Sequence, residues 1–284
     1  MRRRYTVGLV AALWLGLTLP AHAVVLRYDP EVGQVTKHKI EMAGRTEVTM
    51  PGMPDTMRME MTSLMRYTQK ALSKQGGVAR LETKFTGGKV TVSAQGETQT
   101  MDMPTTGRVV ADVDGRRRVV KVIESDLGNM GVPGQMGAAP DAWSSWSSFG
   151  AFPERDLNPD DTWTDKLTIP VTPGSAEATI TYTSKLLALT TFQDRKCAKI
   201  RTSFQGPLKF DPSAFGIPAS GSDESAVTAT LQGDLVWYYD YEKSVDVYGE
   251  GTVGMNMSMT MDIGGGPQTM QTKMLLNLKT SLEK

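Results

Sequence analysis

From Val227 to Met261 the chain alternates residue by residue between apolar and polar side chains. Val227, Ala229, Leu231, Leu235, Trp237 and Tyr239 share one parity, and Thr228, Thr230, Gln232 and Asp234 share the other. After the polar connection Asp240-Tyr241-Glu242-Lys243-Ser244, the residues Val245, Val247, Val253, Met255, Met257, Met259 and Met261 again face one way. A period of two puts successive side chains on opposite faces of a strand, whereas a helix would send Met255 and Met257 to different sides. The stretch predicts a long antiparallel hairpin with one apolar wall.

The same pattern recurs upstream. Met57, Met59, Met61, Met65 and Tyr67 alternate with Arg58, Glu60, Thr62, Arg66 and Thr68, a second methionine strand. With strands at 35–50, 78–85 and 89–94 on either side of a Gly87-Gly88 turn, and at 108–112 and 119–124 around Asp114-Gly115, residues 24–126 predict a meander of about six strands. Residues 157–284 predict a second β-rich half. Residues 48–70 and 260–284 each hold a methionine-bearing strand, a Gly/Pro turn and an amphipathic strand, which suggests two related halves. Between them, residues 127–156 form a Gly/Pro-dense linker or lid. There Asp141 would cap a short helix on which Trp143, Trp146 and Phe149 share a face, either plugging the end of the core or covering a groove. The expected fold is all-β and mainly antiparallel, a strongly curved sheet or incomplete barrel with one or two short helices.

Composition then narrows the setting. Arg2-Arg3-Arg4, the apolar run 7–19 and Ala21-His22-Ala23 read as a signal peptide over residues 1–23, its apolar run shorter than the ~20 residues a spanning helix needs. The expectation is an exported protein, periplasmic or secreted, with no stable membrane insertion. Cleavage would remove three arginines and no acids, leaving 28 basic against 31 acidic residues and no electrostatic case for nucleic acid. The densest basic run, Arg116-Arg117-Arg118, reads as a solvated strand start. Cys197 is the lone cysteine, so no internal disulfide forms. With His22 lost, His38 is the one histidine left for base chemistry, and its lysine-flanked position predicts an exposed, idle side chain. No nucleophile elbow or phosphate loop occurs, and the acid pairs Asp160-Asp161 and Asp223-Glu224 sit among turn residues. The chain reads as a non-enzyme without a cofactor.

Methionine is the unusual entry in the composition, 18 of 284 residues. Three roles fit strands that carry it at spacing two: ordinary sheet core, an adaptable apolar wall for a hydrophobic ligand, or thioethers converging on Cu(I) or Ag(I). The ligand-facing wall nominates Met57, Met59, Met61, Met255, Met257, Met259 and Met261, with Trp143, Trp146 and Phe149 as cover. A structural or protein-interaction role without a small ligand is the remaining alternative.

The long amphipathic strands, the mid-chain aromatic insertion and the segment Asn158-Pro159-Asp160-Asp161-Thr162-Trp163 together resemble the LolA/LppX-type periplasmic lipoprotein carriers and related exported families. In such proteins a Gly-Asp-x-Trp-like turn opens the second half; here Asp160 stands where glycine is usual. The resemblance implies an incomplete barrel whose apolar concave face binds acyl chains or another hydrophobic ligand without chemistry.

Overall fold

The computed structural model describes residues 23–52, 55–103, 105, 107–126, 150–170, 177–210, 227–262 and 267–284. Its strands are β1 (Val35–Thr49), β2 (Met57–Gln75), β3 (Val78–Ala94), β4 (Glu97–Met103), β5 (Gly107–Val113), β6 (Val119–Asp126), β7 (Thr162–Pro170), β8 (Glu177–Phe192), β9 (Arg195–Phe210), β10 (Val227–Asp240), β11 (Val245–Asp262) and β12 (Pro267–Glu283). They form one 12-stranded sheet in the order β6-β5-β3-β2-β1-β12-β11-β10-β9-β8-β7, with β4 pairing the far part of β3. Every pairing is antiparallel, as the alternation predicts. The chain starts mid-sheet, walks out to β6, resumes at the opposite edge with β7 and walks back until β12 lies against β1. That central ladder runs from Lys37↔Glu283 to Thr49↔Gln271 and joins the two expected halves. Among the described residues there is no helix. The helix expected from Asp141, with Trp143, Trp146 and Phe149, lies outside the described residues, as does the signal segment up to residue 22.

Register settles the faces. Val227↔Met259, Ala229↔Met257 and Leu231↔Met255 are direct partners across the predicted hairpin, so both apolar parities share one side. That inner side carries the main buried clusters: Leu26, Phe152, Leu157, Leu186, Ile200 and Tyr239 at one end, and Ile180, Tyr182, Phe204, Leu231 and Met255 farther along. The outer side is charged and wet, with Arg80 Nε donating to Asp112 Oδ1 at 2.8 Å and Arg201 Nε to Asp234 Oδ1 at 2.8 Å. Such exposed pairs add little stability. They do occupy the face that a bilayer-spanning barrel turns to lipid.

Three local features differ from expectation or refine it. Gly87-Gly88 is not a turn: β3 runs through it, and the β2–β3 register slips beside it, between Arg66 and Tyr67. Paired glycines inside a strand serve a bulge as readily as a hairpin. The strand β4 escaped the pattern because it is an edge strand, exposed at Glu97, Thr98, Gln99 and Thr100 on both parities. Asp160, at the glycine-like position, has φ of 73° and so adopts the left-handed backbone that explains the usual glycine. Its carboxylate goes to Lys185 at 2.8 Å while Asp161 accepts from the Asn158 N–H at 2.8 Å, so these adjacent acids have separate partners.

A sheet bent this far crowds its inner side, and missing side chains relieve the crowding. The Phe204 ring lies across Gly233, where an added Cβ would sit 2.3 Å from Cζ; Leu276 lies across Gly44, where it would sit 2.4 Å from Cδ2. Gly233→Ala should therefore lower the melting temperature by several degrees, because overpacking costs roughly 1–3 kcal/mol. The double variant Gly233→Ala/Phe204→Leu should recover part of that loss in thermal denaturation; no recovery would mean the ring is not the obstacle.

Candidate functional site

One end of the inner side is closed by two segments and a turn. Val24 and Leu157 exchange backbone hydrogen bonds of 2.9 Å, so the N-terminal segment and the stretch before β7 form a two-residue bridge. The Tyr28 N–H donates to the Gly115 carbonyl and the Phe152 N–H to the Arg116 carbonyl, both at 2.9 Å, and the Tyr239 hydroxyl donates to the Arg27 carbonyl at 2.5 Å. The Tyr28 and Phe152 bonds both end on the β5–β6 turn, where Asp114 Oδ1 accepts from the N–H groups of Arg116 and Arg118 at 2.9 and 2.8 Å. That side-chain cap fixes the turn.

The arginine run corrects the expectation of a solvated strand start. Arg116 donates to the Phe152 carbonyl at 2.8 Å and reaches Asp165 on β7 at 3.3 Å; Arg118 pairs with the same Asp165. Arg117, held at φ of 72°, turns inward to pair with Asp246 on β11 and lies 4.9 Å over the Trp237 ring. Asp165 is 16% exposed. Burial pushes its carboxyl up, but the Arg118 hydrogen bond, the Lys166 N–H and both arginine charges hold it below the ordinary value. These contacts tie the β5–β6 edge to β7, although the two stand at opposite ends of the strand order.

His38 is likewise corrected. It is 5% exposed, stacks on Tyr67 with centroids 4.9 Å apart and shares a 2.9 Å hydrogen bond with Thr36 Oγ1. Burial is the largest of the influences that lower its pKa. Tyr28, Tyr67 and Tyr239 surround the Arg117–Asp246 pair, and burial raises the pKa of each phenol. Cys197 is buried, its thiol pushed up to about 11 by burial and by Asp240. Neither His38 nor Cys197 presents a reactive atom to solvent.

Toward the other end the inner side becomes a methionine wall. The unbroken registers set a row Met59–Thr46–Met274–Met255–Leu231 and a second row Met57–Val48–Thr272–Met257–Ala229. Met57, Met59 and Met61 on β2 thus share a face with Met255, Met257 and Met259 on β11, but β1 and β12 lie between them, a span of roughly 14 Å at the usual strand spacing. Met59 is 42% exposed while Met255 and Met259 are 5% exposed. Met261 belongs to the last residues of β11, and its side chain lies outside the described ones, as do Trp143, Trp146 and Phe149. Sequence reasoning missed Met42 on β1, Met101 and Met103 on β4, and Met270 and Met274 on β12. For β12 the signal was present as alternation at Met270, Thr272, Met274, Leu276 and Leu278.

A shallow groove of about 680 Å³ lies on the outer side, over Ala43, Thr62 and Thr91 and beside Glu41, Lys89 and Lys279. The charged side chains beside it set it apart from the methionine wall, whose two rows carry none. Among the described residues no group of three or more His, Cys, Asp or Glu side chains could hold a metal ion, and no helix is long and apolar enough to cross a membrane.

Two outcomes follow from the closed end. Because the folded pKa of His38 lies below its ordinary 6.5, the folded state binds fewer protons there, and stability present above pH 6.5 falls as pH drops. Asp165, also depressed, adds a second loss below about pH 4. Denaturant titrations across pH should show both steps. His38→Phe should flatten the upper one, and Asp165→Asn the lower one at a cost on the order of 2 kcal/mol near neutrality. Separately, a thiol-specific reagent should label Cys197 only after denaturation; rapid labelling of the native protein would contradict its buried placement.

No protein-family model and no curated protein matches the chain. Among solved structures it is similar to one described as lipid–protein interactions in lipovitellin, with a TM-score of 0.46 and 10% identity over 90% of this chain and 26% of that one. The chain therefore spans about a quarter of that protein's length. It is also similar to Pseudomonas aeruginosa OccK7 (OpdD), with a TM-score of 0.27 and 7% identity over 89% of this chain and 100% of the other. OpdQ of the same organism gives a TM-score of 0.24 at 7% identity, with 89% of this chain and 100% of the other covered.

Proposed function

We propose that this protein is an exported, non-enzymatic envelope protein that holds the acyl chain of a lipid, or a similar hydrophobic molecule, against its methionine wall. The observation that carries this reading is the segregation of the two sheet faces. The inner side from β2 to β11 presents thioether and aliphatic side chains, of which Met57, Met59, Met61, Met257 and Met274 are only partly covered, while the outer side is laced with ion pairs. A static core is served at least as well by Val, Ile or Leu; methionine adds the flexibility to repack around chains of different shape. An incomplete barrel with an apolar inner face is also the form that the LolA/LppX-type resemblance implies. Buried His38 and Cys197 support a binding role over a catalytic one.

The test is uptake of a fluorescent fatty-acid probe by the purified protein. Met59→Asp places a charge at the most exposed point of the wall and should weaken probe binding about tenfold, roughly 1.4 kcal/mol, with little change in melting temperature. Met59→Leu should bind as the parent does. Equal probe affinity in all three proteins, or no uptake by the parent, would remove the acyl-chain reading.

A further inference from the structure

The ladder between β11 and β12 gathers thioethers that the chain keeps apart in sequence. Met255 stands opposite Met274 and Met259 opposite Met270, with Met257 between them on β11 facing Thr272. No slip interrupts this register, so all five side chains lie on the inner side. Directly opposed Cβ atoms are about 5 Å apart, neighbours at i and i+2 roughly 6.5 Å, and diagonal neighbours about 7–8 Å. A methionine with three rotatable bonds reaches across such gaps. Met257 and Met274 already pack against the buried cluster that contains Met255.

We propose that Met255, Met257 and Met274 form a three-thioether site for a soft monovalent cation, Cu(I), beside the Met259–Met270 pair. Thioether sulfur is a soft, neutral donor and selects Cu(I) over oxygen-seeking ions. Zn(II) and Cu(II) would want thiolate, imidazole or carboxylate partners, which the described residues do not cluster anywhere. Three neutral donors leave one positive charge uncompensated, which a deep apolar interior would penalise severely. Met257 and Met274 are only half-buried, so part of that charge stays within reach of water. Loading is ligand exchange: a Cu(I) carrier or chelator releases the ion, three Cu–S bonds form and no electrons move. The site stands on the β11–β12 register and does not depend on acyl-chain binding.

The experiment uses the full chain under anaerobic reducing conditions, with Cu(I) supplied from a bicinchoninate competitor and Ag(I) as a redox-inert second probe. The parent should retain one equivalent of either ion in native mass spectrometry. M255L/M257L/M274L should lose at least tenfold in affinity, and the milder Met274→Leu should lose less. M57L/M59L/M61L should bind as the parent does, as should Cys197→Ser. Circular dichroism and the melting temperature identify any variant that fails to fold; the single Met274→Leu then carries the comparison. No retention by the parent, equal retention by the leucine variants, or loss on Cys197→Ser would overturn the site. A parent that takes up the fatty-acid probe but retains neither Cu(I) nor Ag(I) loses the metal site alone, and a parent that retains the ion but takes up no probe loses the acyl-chain reading alone, so the two fail independently.

Discussion

Among the described residues the two edge strands, β6 and β7, do not pair, so no hydrogen-bonded seam keeps the sheet bent. Here the bend depends on three consecutive arginines on one turn. Arg116 and Arg118 converge on Asp165 across the gap between the edges, and Arg117 reaches through the interior to Asp246. Partly buried guanidinium groups persist only when paired and hydrogen-bonded, so the turn, β7 and β11 have to stay where they are for the charges to be satisfied. The positive φ of Arg117 adds backbone strain at the same place, tolerated because the surrounding contacts over-determine it.

The inner side changes in character with distance from that clamp. Around the clamp the inner side is packed with aromatic rings, Phe152 lying 4.7 Å from Tyr239 and 5.8 Å from Trp237, centroid to centroid. Along the strands away from it, the rings give way to aliphatic residues and then to thioethers, while glycines such as Gly44 and Gly233 let the sheet keep bending. The end beside the clamp is thus lined mainly by rings, and the far end by side chains with more rotatable bonds.

Much of this was legible because a strand with one wet face writes its period into the chain. The β10–β11 hairpin, β2 and β12 follow from parity alone, and their shared face follows once they are paired. What parity could not supply was partners. His38 and Arg116-Arg117-Arg118 look solvated between charged neighbours, and partners on other strands cover them: Tyr67 stacks on His38, Asp165 pairs with Arg116 and Arg118, and Asp246 pairs with Arg117. Gly87-Gly88 carries equal local signals for a turn and a bulge, and the long reach of β2 beside it decides between them. The methionine ladder needed Met270 and Met274 set opposite β11, which is a matter of register and invisible to spacing within either strand.

The β1–β12 ladder has a consequence for how the chain reaches this structure. The earliest and latest strands are neighbours at the middle of the sheet, separated by more than two hundred residues of sequence. Each arm can form from hairpins as it is made, but the two cannot be zipped together until the final strand is present. Until then β1 and β11 each present a bare, amphipathic edge to other chains. High contact order predicts slow completion, and for that interval the two bare edges stay open to pairing with other chains.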